Sequence, residues 1–231
     1  MRRITLLLFL LISISIQGQA QEREILTSDG VRLYVKVKGT GTPCLYLHGG
    51  PGSGSHWLEK FFGDYLEQHF QMIYLDQRGV CRSSSPKDNN YSLERMILDF
   101  EEVREALGIG EWLTLGHSFG GILQMAYSSQ KNDSIMNSSY RDIANWNNDF
   151  SAVALDVKEY WTDYTAKTPK VRVPVLFFYG YTDWMIGPKH YMNIRFPDMT
   201  LWGSDVGHIP FLENREDLEK AIDYYNAKHG F

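Results

Sequence analysis

The sequence predicts an α/β protein in which a mostly parallel central sheet carries helices on both faces. Short apolar runs that are typical of buried strands alternate with longer segments of helical periodicity, as in right-handed β-α-β crossovers. One apolar run leads directly into a glycine-flanked serine at residues 116–121. Polar residues also follow other predicted strands, and this indicates a functional site at the carboxyl edge of the sheet.

The predicted strands are short apolar or alternating runs that end at turn residues. The first two flank Asp29-Gly30, a dipeptide typical of a hairpin turn. The later ones are short buried runs, each followed by glycine or polar residues. In chain order, the predicted strands cover residues 23–28, 31–38, 44–47, 71–75, 112–115, 173–179 and 199–202.

The predicted helices have apolar residues at helical spacing, as in residues 56–69, where Trp57, Phe61 and Tyr65 share one face. Ser92 can cap the second helix, and Gly108 can end it. In chain order, the predicted helices cover residues 56–69, 93–107, 122–127, 150–167 and 213–228.

Length, charge and the N-terminus restrict the class of protein. The chain has 231 residues and a formal net charge of −5, so one domain is expected, and nucleic-acid binding is disfavoured because no basic run is present. Residues 1–20 are predicted as a signal peptide, since Arg2 and Arg3 precede an apolar stretch too short to span a bilayer and Ala20 suits cleavage. Residues 21–231 are expected to form a single exported domain, periplasmic or secreted, without stable membrane association.

The serine motif Gly116-His117-Ser118-Phe119-Gly120-Gly121 predicts a nucleophile elbow, because it follows a strand and opens a helix. A serine hydroxyl needs a base, and the base needs an acid to orient it. His208, after the last predicted strand, is the candidate base. Asp183, after the preceding strand, is the candidate acid, with a helix-capping role as the alternative. The order Ser118, Asp183, His208 fits a hydrolytic triad.

The same logic assigns the groups around the triad. The backbone N–H groups of Gly50 and Phe119 are the expected oxyanion donors, and His48, in the loop with Gly50, is expected to be structural. Cys44 and Cys81 fall at opposite ends of their strands, so two free thiols are expected, with Cys81 as a remote alternative nucleophile. No cofactor or metal is implied, because no His/Cys/Asp cluster has ligand spacing. The expected partner is a small peptide or acyl substrate.

Three motifs together resemble the signatures of prolyl (proline imino-) aminopeptidases, which have the α/β-hydrolase fold. They are residues 48–52 (HGGPG), residues 76–79 (DQRG) and the serine motif. The resemblance covers residues 24–127 and 173–225, and Asp183 and Gly207-His208 match the acid and base positions. It implies cleavage of an N-terminal residue, often proline, from short peptides.

Two departures from that resemblance stand out. Cys81 replaces a glycine usual in the family. Residues 131–172 form only a reduced cap, so that most of the cap whose acidic residues bind the substrate's amino group is absent. Possible replacements for those acidic residues are Asp149, Asp156, Glu159 and Asp163.

Residues 131–172 also contain no predicted strand before the helix at 150–167. One central strand of the expected sheet is therefore missing from the sequence pattern. Such a sheet would either close up by about 4.8 Å, moving Asp183 and His208 away from Ser118, or keep unpaired backbone groups. Two alternatives to an aminopeptidase therefore stay open. One is a general carboxylesterase with an open site, and the other is a non-catalytic remnant of such an enzyme.

Overall fold

The computed structural model of the protein describes residues 20–131, 135–137, 153, 156–187 and 189–231. Residues 1–19 of the expected signal peptide therefore lie outside the described residues. No helix in the described ranges combines the length and apolar character needed to cross a bilayer.

An eight-stranded sheet forms the centre of the molecule. Its strands are β1 (Gln21–Leu26), β2 (Arg32–Lys38), β3 (Thr42–Leu47), β4 (Phe70–Leu75), β5 (Leu113–Gly116), β6 (Ile135–Asn137), β7 (Val175–Gly180) and β8 (Met199–Ser204). They lie side by side in the order β1-β2-β4-β3-β5-β6-β7-β8. β2 pairs antiparallel with both β1 and β4, and the other neighbours are parallel. Every predicted strand is present within two residues of its expected bounds.

Helices cover both faces of this sheet. They are α1 (His56–His69), α2 (Leu93–Ala106), α3 (Phe119–Lys131), α4 (Pro210–Glu213) and α5 (Arg215–His229). Ser92 caps α2 as expected, since its side chain accepts a hydrogen bond from the Arg95 N–H. Alternate residues of β3 and β4 face opposite sides, so Leu45 and Ile73 join a core with α2 and α3. Tyr46 and Met72 join the core formed with α1 and α5.

A strand that the sequence does not predict completes the sheet. β6 runs parallel to both neighbours, with Ile135 paired to Thr114 of β5 and to Val175 of β7. Three residues in a stretch rich in Asn and Ser are too few to show strand periodicity. The expectation of a missing central strand is therefore wrong, because β6 occupies the place between β5 and β7.

The reduced cap follows the prediction of a helix at residues 150–167 only in part. Val153 and Asp156 are α-helical, but the chain beyond them forms two 3₁₀ turns, Lys158–Trp161 and Thr165–Lys170. Thr162 between them is extended, with φ −64° and ψ 133°, and an α-helix cannot continue through such a residue. Pro169 lies within the second turn, where a longer α-helix would lose a backbone hydrogen bond.

Candidate active site

The carboxyl ends of β3 and β5 place two of the predicted loops side by side. Leu47, the last residue of β3, pairs with Gly116, the last residue of β5. The His117 N–H also donates a hydrogen bond to the Leu47 carbonyl at 3.1 Å. The glycine-rich loop after β3 and the serine motif after β5 consequently begin next to each other, at one edge of the sheet.

Ser118 lies on a sharp turn that only glycine neighbours allow. Its φ is +54°, in the left-handed region that L-residues other than glycine seldom adopt. A Cβ at Gly116 would lie 2.7 Å from Gln124 Oε1, and one at Gly120 would lie 1.8 Å from the Leu47 carbonyl oxygen. The two glycines therefore let β5 and α3 pack closely while the chain reverses at Ser118, as a nucleophile elbow requires.

The loops after β7 and β8 meet at this same edge. These strands are parallel, and the last residue of β7, Gly180, pairs with the last residue of β8, Ser204. The Thr182 N–H donates to the Val206 carbonyl at 3.1 Å and joins the two loops. Asp183 and His208 are therefore carried by adjacent loops that are bonded to each other.

The structure brings the three predicted triad residues together in one hydrogen-bonded chain. His208 Nε2 lies 3.4 Å from Ser118 Oγ, and His208 Nδ1 lies 2.8 Å from Asp183 Oδ2. His208 and Asp183 are 7% and 2% exposed, respectively, so water is largely excluded from the pair. A carboxylate facing Nδ1 favours the tautomer with the proton on Nδ1, which leaves Nε2 free to accept the serine proton.

The other carboxylate oxygen of Asp183 holds the acid loop in place. Asp183 Oδ1 accepts hydrogen bonds from the N–H groups of Met185 at 3.2 Å and Ile186 at 3.4 Å. Asp183 therefore caps the turn that follows β7 and also faces His208. The capping role considered as an alternative from the sequence coexists with the contact to the imidazole.

A buried histidine organises the loop that contains Gly50. The Gln77 N–H donates to His48 Nε2 at 3.1 Å, so the proton of the ring is on Nδ1, which lies 3.0 Å from the Gly49 carbonyl. Burial lowers the pKa of His48 to about 4, although the bond to Gly49 opposes this shift. His48 is therefore neutral and structural. Gly50 has φ +120°, and a Cβ there would lie 2.5 Å from the Gly52 nitrogen.

Asp76 connects the loop after β4 to the start of α1. It is fully buried and accepts hydrogen bonds from the Ser55 N–H at 2.9 Å, the Ser55 hydroxyl at 2.8 Å and Arg82 Nε at 2.7 Å. Burial alone would raise the pKa of Asp76, but Arg82 and the Ser55 N–H outweigh it and lower the pKa below its ordinary value. Asp76 thus remains an anion with a structural role.

Arg78 is the second charged residue of the same motif and is also fully buried. Its guanidinium group binds the carboxylates of Asp99 in α2, at 2.6 Å and 2.8 Å, and of Asp29 in the β1–β2 turn, at 2.9 Å and 3.2 Å. The motif of residues 76–79 therefore supports the loops around the site through buried contacts.

The remaining candidates have environments that do not suit nucleophilic chemistry. The buried His117 ring lies 5.4 Å from that of Phe211 and 6.2 Å from that of His208, between ring centroids. Burial holds the pKa of His117 well below its usual range. Cys81 is exposed, but partial desolvation by its neighbours raises the pKa of its thiol to about 11, so the thiol is protonated at neutral pH. Both cysteines are free, as expected.

Tyr160 is a neighbour of the serine motif that the sequence does not reveal. Its ring contacts that of Phe119 edge to face at 4.9 Å, and its hydroxyl donates to the Tyr91 carbonyl at 2.5 Å. Helical spacing in residues 150–167 favours Trp161 as a core residue instead, but Trp161 is 59% exposed and Tyr160 is 1% exposed. Through Tyr160, the reduced cap therefore packs against Phe119, the residue that follows the candidate nucleophile.

Comparison with known proteins identifies the fold. A family model described as "alpha/beta hydrolase fold" matches residues 42–138 of this chain. The structure resembles that of a hydrolase from Pseudomonas aeruginosa, with a TM-score of 0.74 and 20% identity over 90% of this chain and 98% of the other. An esterase from Exiguobacterium antarcticum gives a TM-score of 0.68 and 21% identity over 89% and 99% of the two chains. The protein has the α/β-hydrolase fold.

Within that fold, the sequence resembles prolyl aminopeptidases. It is 32% identical over 136 residues to the proline iminopeptidase of Neisseria gonorrhoeae, which is 54% of this chain and 43% of that protein. It is 36% identical over 104 residues to that of Saccharolobus solfataricus, or 43% and 33% of the two chains. The resemblance expected from the three motifs is thus confirmed, and the chain spans less than half the length of these curated relatives.

Proposed function

We propose that this protein is a serine hydrolase that removes N-terminal residues, proline among them, from short peptides. The observation that carries the proposal is the chain of contacts from Ser118 through His208 to Asp183, at 3.4 Å and 2.8 Å. This arrangement supports catalysis over the alternative of a non-catalytic remnant, because the hydroxyl, base and acid groups lie in one line of contacts in which only the Ser118–His208 distance has to shorten for proton transfer.

In the proposed reaction, Ser118 Oγ attacks the substrate carbonyl carbon while His208 Nε2 takes the serine proton. Asp183 stabilises the imidazolium, and the N–H groups of Phe119 and Gly50 bind the oxyanion. The C–N bond then breaks, and His208 gives its proton to the leaving amine. Water, deprotonated by His208, hydrolyses the acyl-enzyme and restores Ser118.

The peptide preference is supported by the sequence similarity to proline iminopeptidases. An aminopeptidase needs an acidic group for the substrate's free amine. Asp156, Glu159 and Asp163 in the reduced cap are exposed, so each is accessible to a substrate from solvent, while Asp149 lies outside the described residues.

Ester hydrolysis is the second candidate, and the reduced cap favours it. The structure superposes on 99% of the esterase from Exiguobacterium antarcticum at 21% identity, which shows that such a compact chain has the same fold. A compact hydrolase without a full cap leaves its site open to neutral acyl groups, which require no acidic group for an amine.

A fluorophosphonate probe combined with two chromogenic substrates separates these functions. We expect the probe to label wild type but not Ser118→Ala, and prolyl p-nitroanilide to be cleaved. Cleavage of p-nitrophenyl acetate with no prolyl activity would instead support the esterase. A protein that is neither labelled nor active on either substrate would overturn the hydrolase proposal and support the remnant.

Export is a separate proposal, supported by the arginines and apolar stretch within residues 1–20. N-terminal sequencing of protein recovered from a bacterial periplasm or culture medium is expected to begin at residue 21. Retention in the cytoplasm with residues 1–20 intact would overturn it.

A further inference from the structure

A single carboxylate accepts hydrogen bonds from both chain neighbours of His208. Gly207 and Ile209, on either side of His208, both donate their backbone N–H groups to the side chain of Glu213. Gly207 bonds to Oε2, and Ile209 bonds to Oε1 at 2.8 Å. Glu213 therefore binds the backbone on both sides of the candidate base, and none of these contacts involves the imidazole ring.

Glu213 is itself fixed by the short helix α4. Its own N–H donates to the Ile209 carbonyl at 2.9 Å, so its main chain and its side chain both bond to the same residue. Pro210 and Phe211, which begin α4, are buried and anchor it. Two carboxylate oxygens facing two N–H donors form charge-assisted hydrogen bonds, which are stronger than those between neutral groups.

We propose that Glu213 is a positioning residue that sets the distance between His208 and Ser118. This inference rests on the proposed function, because that function makes His208 the base. The separation of 3.4 Å between His208 Nε2 and Ser118 Oγ lies at the long end of hydrogen-bonding range. A small outward movement of the segment at residues 207–209 would break the contact, and displacements of about 1 Å can cost roughly a hundredfold in rate.

Three variants remove or disturb the hydrogen bonds that the Glu213 carboxylate accepts, each to a different extent. Glu213→Ala removes both acceptors. Glu213→Gln keeps one acceptor oxygen and replaces the other with an amide nitrogen that cannot accept an N–H bond. Gly207→Ala keeps the carboxylate but places a Cβ 3.0 Å from Oε2 and 3.3 Å from Oε1, which displaces it. The matched control is Glu216→Ala, because Glu216 is an exposed carboxylate that pairs with Lys220 at 2.6 Å.

The kinetic test measures kcat and KM per folded molecule, together with thermal unfolding, for whichever of prolyl p-nitroanilide and p-nitrophenyl acetate the wild type cleaves. We expect kcat to fall about tenfold in Glu213→Gln and about a hundredfold in Glu213→Ala, with Gly207→Ala between them. KM is expected to stay within about twofold, because the substrate does not contact Glu213 in the proposed reaction. Glu216→Ala should match wild type. A lower melting temperature in Glu213→Ala with unchanged kcat would reduce Glu213 to a structural role and overturn the inference.

A second measurement does not need turnover. The Nδ1 proton of His208, which bonds to Asp183, can be followed by NMR as a downfield resonance that disappears in Asp183→Asn. We expect Glu213→Ala, but not Glu216→Ala, to shift or broaden it. A perturbed resonance in a protein whose wild type is inactive would overturn the proposed function and keep the inference. An active wild type with the resonance and kcat unchanged in Glu213→Ala would overturn the inference alone.

Discussion

Single residues in unusual backbone conformations shape this site. Ser118 and Cys81 both have left-handed φ angles, +54° and +48°. At Ser118 this strained backbone is what a nucleophile elbow requires, because the tight turn makes the serine side chain project into the site. At Cys81 it fits the glycine that the resemblance to prolyl aminopeptidases implies for this position, since glycine adopts such angles at no steric cost.

Replacing the candidate nucleophile tests the centre of the site. Ser118→Ala is expected to lower kcat by ~10⁶, as the loss of a serine nucleophile does in other enzymes, with little change in stability. The matched control is Ser128→Ala, a buried serine in α3, the helix that begins directly after Ser118, and this variant should retain activity. Hydrolysis of p-nitrophenyl acetate measures both. More than a tenth of wild-type activity in Ser118→Ala would place the nucleophile elsewhere.

Replacing the acid tests how the imidazole is held. Asp183→Asn should reduce kcat by about 10⁴ with little change in KM, because an amide in this position favours the wrong tautomer of His208. Asp205→Asn is the control, since Asp205 precedes His208 in the same loop but is exposed. Steady-state kinetics of both variants decide the assignment, and it fails if Asp205→Asn is the more damaging change.

The left-handed angle at Cys81 predicts that glycine is tolerated better than alanine at this position. Cys81→Gly should be about 1 kcal/mol more stable than Cys81→Ala, because the left-handed conformation costs a residue with a Cβ about 1–2 kcal/mol. Both variants lose the thiol, so their difference reports the backbone alone. Urea denaturation gives the two free energies of unfolding. Equal midpoints would show that position 81 carries no such strain.

At the scale of elements, loops anchored by buried polar side chains hold the site groups at the sheet edge. His48 joins the loop after β3 to the loop after β4 through its bond with the Gln77 N–H. Gln77 returns the contact, because its Nε2 donates to the His48 carbonyl at 3.1 Å. The loop that carries Gly50 is thus fixed by its neighbour.

The depressed pKa of His48, about 4, predicts an acid-sensitive fold. An unfolded histidine titrates near ~6.5, so the unfolded state binds this proton at a higher pH than the folded state does. His48 therefore stabilises the protein fully above pH ~6.5, and this contribution, about 3 kcal/mol, is lost as the pH falls towards 4. Urea unfolding between pH 8 and 4 measures the loss.

A measurement at single residues accompanies this pH prediction. NMR titration distinguishes the His48 ring from that of His117, which is also buried and neutral. A His48 midpoint near 6.5 would contradict the prediction.

Most elements and the triad candidates could be predicted because each has a local signal. Ser118, Asp183 and His208 each follow an apolar run, and parallel strands bring such positions to one edge. β6 has no local signal, since three residues show no period and only pairing with its neighbours makes it a strand. Tyr160 and Glu213 were missed for a similar reason: their importance lies in contacts with Phe119 and with the backbone around His208, which spacing does not encode.

At the scale of the whole molecule, β6 lies in the middle of the sheet between two sets of strands. Within its described residues, 135–137, three residue pairs join it to β5 and three join it to β7, whereas β3 has five pairs with β4 and four with β5. The described pairing between the two sets is therefore less extensive than the pairing around β3.

Hydrogen exchange should reveal this difference. Amides of β6 are expected to exchange through local opening, well before those of β3 and β4, which should exchange only on global unfolding. Native-state exchange followed by mass spectrometry measures both groups in one sample. Equal protection of β6 and β3 would show that the sheet opens as one unit.

The central position of β6 has a consequence for how the proposed hydrolase would lose activity. Ser118 and Gly50 follow strands on one side of β6, and Asp183 and His208 follow strands on the other. The protein is thus assembled from a nucleophile half and a base half, and neither half is competent alone. Mild heat or denaturant would separate the two halves and abolish activity while most of the secondary structure persists. Activity would therefore be lost before the protein unfolds.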